Sequence, residues 1–239
     1  QMMGVWREWW GYPVLPPHAP ELPAPRSARG GAVLCFTGGL DSFFTLLCGE
    51  TKPDALAYVQ GYDIALDDSP RMAAWEAALR EVGAAMGARV VVLQSNLRRH
   101  RLVARCAWER AHGGALAAIG HLLASSTGTL LIASSFPAHY GYSWGSHVRL
   151  DALWSSDRLR VVHHGATHTR VGKLRAIADH ELVRRHLRVC WENRSPHGNC
   201  SRCDKCLCTM ATIATYGDQG RFRTFDWPAS LTDRINQVR

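Results

Sequence analysis

An α/β protein built on a parallel sheet is the fold class this sequence predicts, on three observations. Five short apolar runs alternate with longer stretches of helical periodicity, the pattern of strands joined by right-handed helical crossovers. The first run breaks into a glycine-rich polar knot and resumes at once as an apolar helix pattern. The chain has 239 residues, of which 46% are apolar, so it can bury one large core with helices on both sheet faces, a three-layer α/β/α sandwich.

The elements follow in order. Residues 32–36 form a short apolar run of the kind that makes a fully buried strand. Then comes T-G-G-L-D-S, from Thr37 to Ser42. Asp41 and Ser42 are good helix N-caps, and Phe43, Phe44, Leu46 and Leu47 follow at helical spacing. Gly38 and Gly39 permit backbone angles and close approach that a side chain would block. Strand, glycine turn and helix start together make an anion site, because free N–H groups and the helix dipole point the same way. A phosphate suits it, and the alternative is an ordinary strand-to-helix turn.

Further strands are expected at residues 55–60, 89–93, 129–133 and 160–163, with helices at 71–86 and 102–124. The loop after the fourth strand, S-S-F-P-A-H-Y-G-Y-S-W-G-S-H, is long and rich in aromatic, hydroxyl and imidazole groups. Such a loop suits a pocket for a planar polar substrate, with Ser134, Ser135 and His147 as candidates. A surface loop anchored by Trp144 is the plainer alternative. After the fifth strand, T-H-T-R-V-G-K opens another helix and sets Arg170 and Lys173 one turn apart near its start. Cations there oppose the helix dipole, so they either answer a nearby anion or belong to a solvated helix end.

The stretch C-W-E-N-R-S-P-H-G-N-C-S-R-C-D-K-C-L-C holds five of the eight cysteines. Cys200, Cys203 and Cys206 form two overlapping C-x-x-C steps, and Cys190 lies upstream. Four thiolates are what tetrahedral Zn²⁺ takes, and C-x-x-C turns present two sulfurs to one ion. Four sulfurs leave no open position for a catalytic water, so a structural role is expected, with an iron–sulfur cluster as the rival metal. Cys208 is left over as a spare, a substitute ligand for Cys190, or a free thiol. Cys35, Cys48 and Cys106 sit in apolar contexts and read as core thiols.

Composition bounds the rest. Net charge is +8, but only Lys52, Lys173 and Lys205 are lysine and the arginines are scattered, which fits a solvated surface or an acidic ligand better than nucleic acid. No apolar run is long enough to span a membrane and no secretory signal opens the chain, so reduced thiols in the cytoplasm are expected. Residues 12–31 are too proline-rich for a helix or a sheet interior and read as an extended arm. Trp6, Trp9 and Trp10 before it are expected to pack against something, such as a segment preceding residue 1. The expected organisation is an arm at 1–30, a nucleotide-binding domain at 31–188, and a zinc-binding element with a closing helix at 189–239.

The knot contains neither G-x-x-x-x-G-K-[ST] nor G-x-G-x-x-G, which sets aside the Walker and dinucleotide loops. Thr37, Gly38, Gly39, Asp41 and Ser42 instead resemble the [ST]-G-G-x-D-[ST] loop of the PP-loop, or N-type, ATP pyrophosphatases, with Leu40 at the variable position. The resemblance implies strand order 3-2-1-4-5 and ATP split between its α and β phosphates with Mg²⁺. It also implies that Asp41 orients the loop or reaches the ion, and that Lys173 lies against the phosphates. Joined to the C-terminal cysteines, the loop makes the chain similar to 7-cyano-7-deazaguanine synthase-like proteins, which adenylate a carboxylate and replace AMP with ammonia to give an amide or nitrile. The stretches after the second and fourth strands lack that family's substrate signatures, so the likeness is to a divergent member. The implied partners are a small polar, planar substrate and an ammonia or sulfur donor, with homo-oligomerisation open. Sulfur insertion into a nucleobase, tRNA or small molecule is one alternative. A zinc-stabilised module that binds nucleic acid or a partner, with a vestigial nucleotide site, is the other.

Overall fold

The computed structural model describes residues 1–15, 30–195 and 198–237. Five strands form one all-parallel sheet in the order β3-β2-β1-β4-β5. They are β1 (Ala32–Cys35), β2 (Ala55–Gln60), β3 (Arg89–Gln94), β4 (Thr129–Ala133) and β5 (Arg160–His164). The central strands β1 and β2 are buried at every position, as a sheet covered on both faces requires. Edge strand β3 is partly open. In-register pairs Leu34–Leu56 and Leu34–Leu131 run the hydrophobic rows across the sheet.

Two aliphatic layers sandwich it. On one face Leu34, Leu56 and Leu131 meet α2 (Leu40–Cys48), α3 (Ser69–Met86), α5 (Arg170–Ile177), α6 (Glu181–His186) and α7 (Asp204–Ala214) through residues such as Phe43, Leu79, Leu174, Val183 and Met210. On the other face Val33, Ala57, Leu130 and Val161 meet α4 (Trp108–Leu123) through Leu116 and Leu123, with Trp154 beside them. The α/β class, the parallel sheet and its strand order are therefore those expected.

Four local expectations are corrected. Of the three cysteines expected in the core only Cys35 is buried, because Cys48 ends α2 at the surface and Cys106 lies in the exposed turns before α4. Helix α2 is capped by Gly39, so Asp41 and Ser42 lie inside its first turn instead of capping it. Helix α4 starts at Trp108 and not at residue 102, because residues 101–106 are exposed turns with no apolar stripe facing the sheet. The tryptophans at the N-terminus belong to α1 (Met2–Trp10), which packs on the chain's own loop after β4. Trp6 meets Trp154 at 5.9 Å between ring centroids, Trp9 meets His147 edge-on at 4.9 Å, and Glu8 holds Arg149 at 2.7 and 2.8 Å. Most of the expected proline-rich arm lies outside the described residues. Among the described residues no helix is long and apolar enough to cross a membrane.

Candidate functional site

Strand order reverses at β1, whose neighbours β2 and β4 lead their crossovers to opposite faces, and a crevice opens at the carboxyl ends of β1 and β4. Thr37, Gly39, Leu40, Asp41 and Ser42 line it from one side. Gly38 has φ of +70° and its missing Cβ would lie 2.2 Å from the Trp75 ring, so only glycine fits. Gly39 has ordinary φ, and its nearest neighbour, the Thr37 hydroxyl, would be 3.2 Å from an added Cβ. The two glycines thus serve different ends: the first shapes the turn and the second keeps the loop surface bare. Thr37 Oγ1 accepts a long hydrogen bond from the Gly39 N–H, and the Ser42 hydroxyl donates to the Gly39 carbonyl at 3.0 Å. No side chain caps α2, so its first-turn amides remain available to a ligand.

Asp41 is the electrostatic centre. Its two carboxylate oxygens accept from Arg170 at 2.8 Å and from Lys173 at 2.9 Å. Lys173 is 1% exposed and also donates to the Ser134 carbonyl, with the Phe44 ring 5.9 Å from its ammonium. It is no solvated helix end. Desolvating an ammonium this completely is costly without partners, and the partners here are a carboxylate and a carbonyl beside an open crevice. Helix α5 positions both cations: Thr169 caps it through the Gly172 N–H, which turns Arg170 and Lys173 toward α2.

The structure places the remaining sequence candidates as follows. Ser135 and Arg170 line the crevice. Ser134 is buried beneath it, its hydroxyl donating to the Phe136 carbonyl. His147 is outside it, with its ring on Trp9 and its backbone N–H donating to Asp151. Asp151 in turn holds the Ser146 hydroxyl and His163, each at 2.7 Å, so this buried trio ties the long loop to β5. The far wall comes from residues that sequence reasoning did not single out, namely Asp63 after β2, Arg188, Trp191 and Lys205. Only Lys205 had a signal, a rare lysine inside the cysteine cluster. Crowding around its ammonium lowers its pKa and Arg170 adds to this, while Asp63 and Asp41 oppose it.

Comparison with protein-family models and with curated proteins gives no match.

The cysteines gather beside this wall. The sulfurs of Cys190, Cys200, Cys203 and Cys206 all lie within 4.8 Å of one another, with Cys190–Cys203 at 4.0 Å and Cys200–Cys206 at 3.9 Å. Tetrahedral zinc–thiolate bonds of about 2.3 Å require sulfurs roughly 3.8 Å apart, so the group could hold such an ion. Cys208 is exposed on α7 and is not among the four. Without a cation the sulfurs compete for protons: hydrogen bonding from the Cys206 thiol pulls Cys190 down to about 4, burial pushes Cys203 up to about 11, and Cys206 is pushed up first by its bond to Cys190. A divalent ion would remove that competition and hold all four as thiolates. Asn199 fixes the frame, its Oδ1 accepting from the Val189 and Cys190 N–H groups while its Nδ2 donates to the Leu187 carbonyl.

Proposed function

We propose that this chain is an ATP-dependent ligase-type enzyme of the PP-loop pyrophosphatase kind, adenylating a carboxylate of a small planar substrate and then exchanging AMP for a nitrogen nucleophile. The observation that carries the reading is Asp41, set in the uncapped first turn of α2 and joined across the crevice to buried Lys173 and to Arg170. A phosphate chain laid on Gly39 and the α2 amides would take over the two cations that Asp41 now neutralises. Thr37 and Ser42 would add hydroxyls, and Asp41, once released, could face a Mg²⁺ ion accompanying the phosphates. That ion would draw charge from the departing pyrophosphate.

Attack by a substrate carboxylate oxygen on the α-phosphorus would form an acyl-adenylate and release pyrophosphate. Ammonia would then attack the acyl carbon, giving the amide, AMP and one proton. The chain's contribution is positioning and charge stabilisation. The loop contains no lysine to reach β and γ phosphates as a Walker loop does, which supports cleavage between α and β.

Incubation of the metal-loaded protein with ATP, Mg²⁺, ammonium and a panel of aromatic carboxylic acids is the test. AMP and pyrophosphate in equal amounts are expected by chromatography. Stoichiometric ADP without AMP rules out adenylation. Iron in the cysteine site, seen by elemental analysis and visible absorbance, would move the reading to sulfur insertion.

A further inference from the structure

The segment between α6 and the cysteine cluster is held from two sides at once. On the cluster side, Asn199 accepts from the Val189 N–H at 2.8 Å and the Cys190 N–H at 3.1 Å. The Leu187 carbonyl accepts from Asn199 Nδ2 at 2.8 Å and from the Thr224 hydroxyl at 2.7 Å. Cys190 itself offers its sulfur to the four-cysteine group. On the loop side, the N–H of Arg188 donates to the Gly38 carbonyl at 2.8 Å. The Arg188 carbonyl lies 3.8 Å from the place a Gly39 Cβ would occupy, and the Arg188 guanidinium sits 6.0 Å from the Trp75 ring that Gly38 abuts. One residue, Arg188, thus links the metal frame to both glycines of the knot.

We propose that the four-cysteine centre sets the phosphate loop: an ion there fixes residues 187–190, and Arg188 hands that order to Gly38 and Gly39. Asn199 is the positioning residue of the device. The inference rests on the reading of the knot as a nucleotide site. Its physical content is entropy: a Gly-Gly turn has many conformations to lose on binding, and a strap already fixed by metal removes that cost beforehand. The coupling is reciprocal, so a nucleotide that stiffens the loop must tighten the metal by the same factor.

The experiment uses the whole chain in zinc-loaded and metal-depleted forms, with a non-hydrolysable ATP analogue plus Mg²⁺ titrated by calorimetry. About tenfold weaker binding is expected without zinc, within the range usual for coupled sites. Competition with a chromophoric chelator should show zinc affinity rising about tenfold at saturating analogue. Asn199→Ala keeps all four cysteines, so it should retain zinc stoichiometry by elemental analysis, bind the analogue more weakly, and show faster hydrogen exchange at residues 36–42. Asn199→Asp keeps the acceptor for Val189 and Cys190 but loses the donor to the Leu187 carbonyl, so its affinity should lie between those of Asn199→Ala and wild type. Equal analogue affinity in loaded and depleted protein, with no change at the chelator, overturns the coupling and leaves the nucleotide reading standing. Zinc-bound Asn199→Ala with wild-type affinity and exchange also overturns it, whatever depletion does to the fold. No binding by zinc-loaded wild type removes the nucleotide reading and the coupling together.

Discussion

Gly38 and Gly39 are neighbours with opposite constraints, and substitution separates them. Gly38→Ala forces a methyl into the Trp75 ring at a positive φ, so we expect a loss of more than about 2 kcal/mol by chemical denaturation. Gly39→Ala meets only the Thr37 hydroxyl at 3.2 Å, which a small shift of that side chain relieves, so it should cost far less stability than Gly38→Ala. On the proposed function it should still weaken nucleotide binding by calorimetry, because its methyl would stand in the crevice. Asp41 shows the same division between stability and chemistry. Asp41→Ala leaves the Lys173 ammonium buried with only a carbonyl, which should cost about 3 kcal/mol and, on the proposed function, all pyrophosphate release. Adding Lys173→Met removes the stranded charge and should recover most of that stability while activity stays absent. Wild-type turnover in Asp41→Ala would exclude the loop from catalysis.

At the scale of elements, α7 gathers the consequences of the cysteine spacing. Cys203 is its N-cap residue and Cys206 sits one turn inside, so the two sulfurs share the start of the helix, while Cys200 approaches from the loop before it. The Cys203 N–H donates to Cys200 Sγ at 3.3 Å, which ties the loop cysteine to the start of the helix. Cys203→Ser should therefore lose bound metal by elemental analysis and loosen α7 in hydrogen exchange, while β1 to β5 stay protected. Unchanged metal content would show that the four sulfurs do not act as one site.

For the whole molecule, acid stability follows from three histidines. Burial is the first cause lowering the pKa of His112, His147 and His164, with nearby Lys173 adding at His164. In the unfolded chain these rings take up protons near pH 6.5, but the fold resists doing so until lower pH. Unfolding therefore binds protons, and stability falls as pH drops below about 6.5. We expect Tm to decline between about pH 7 and pH 5.5 and the decline to be shallower in His112→Gln; a Tm flat across that window contradicts it.

Much of this molecule is local in origin and so is legible along the chain. Strand burial at residues 32–35 and 55–60 follows from unbroken apolar runs. The left-handed turn needs Gly38, and two overlapping C-x-x-C steps with Cys190 upstream mark a group that could hold a metal before any fold is known. Helix starts were less legible, because capping potential at Asp41 and Ser42 lost to the backbone freedom of Gly39. Distant pairings could not be read from the residues themselves; only the family resemblance implied the strand order and a place for Lys173 beside the loop. Asp41 and Lys173 are separated by 132 residues, and Arg188 meets Gly38 across 150. Periodicity says which face of an element is apolar, not which loop it brings opposite another. The burial of Lys173, the displacement of His147 onto Trp9, and the wall of Asp63, Trp191 and Lys205 were decided only when the sheet and its crossovers closed, since charge and hydrogen-bond partners are chosen by proximity in space.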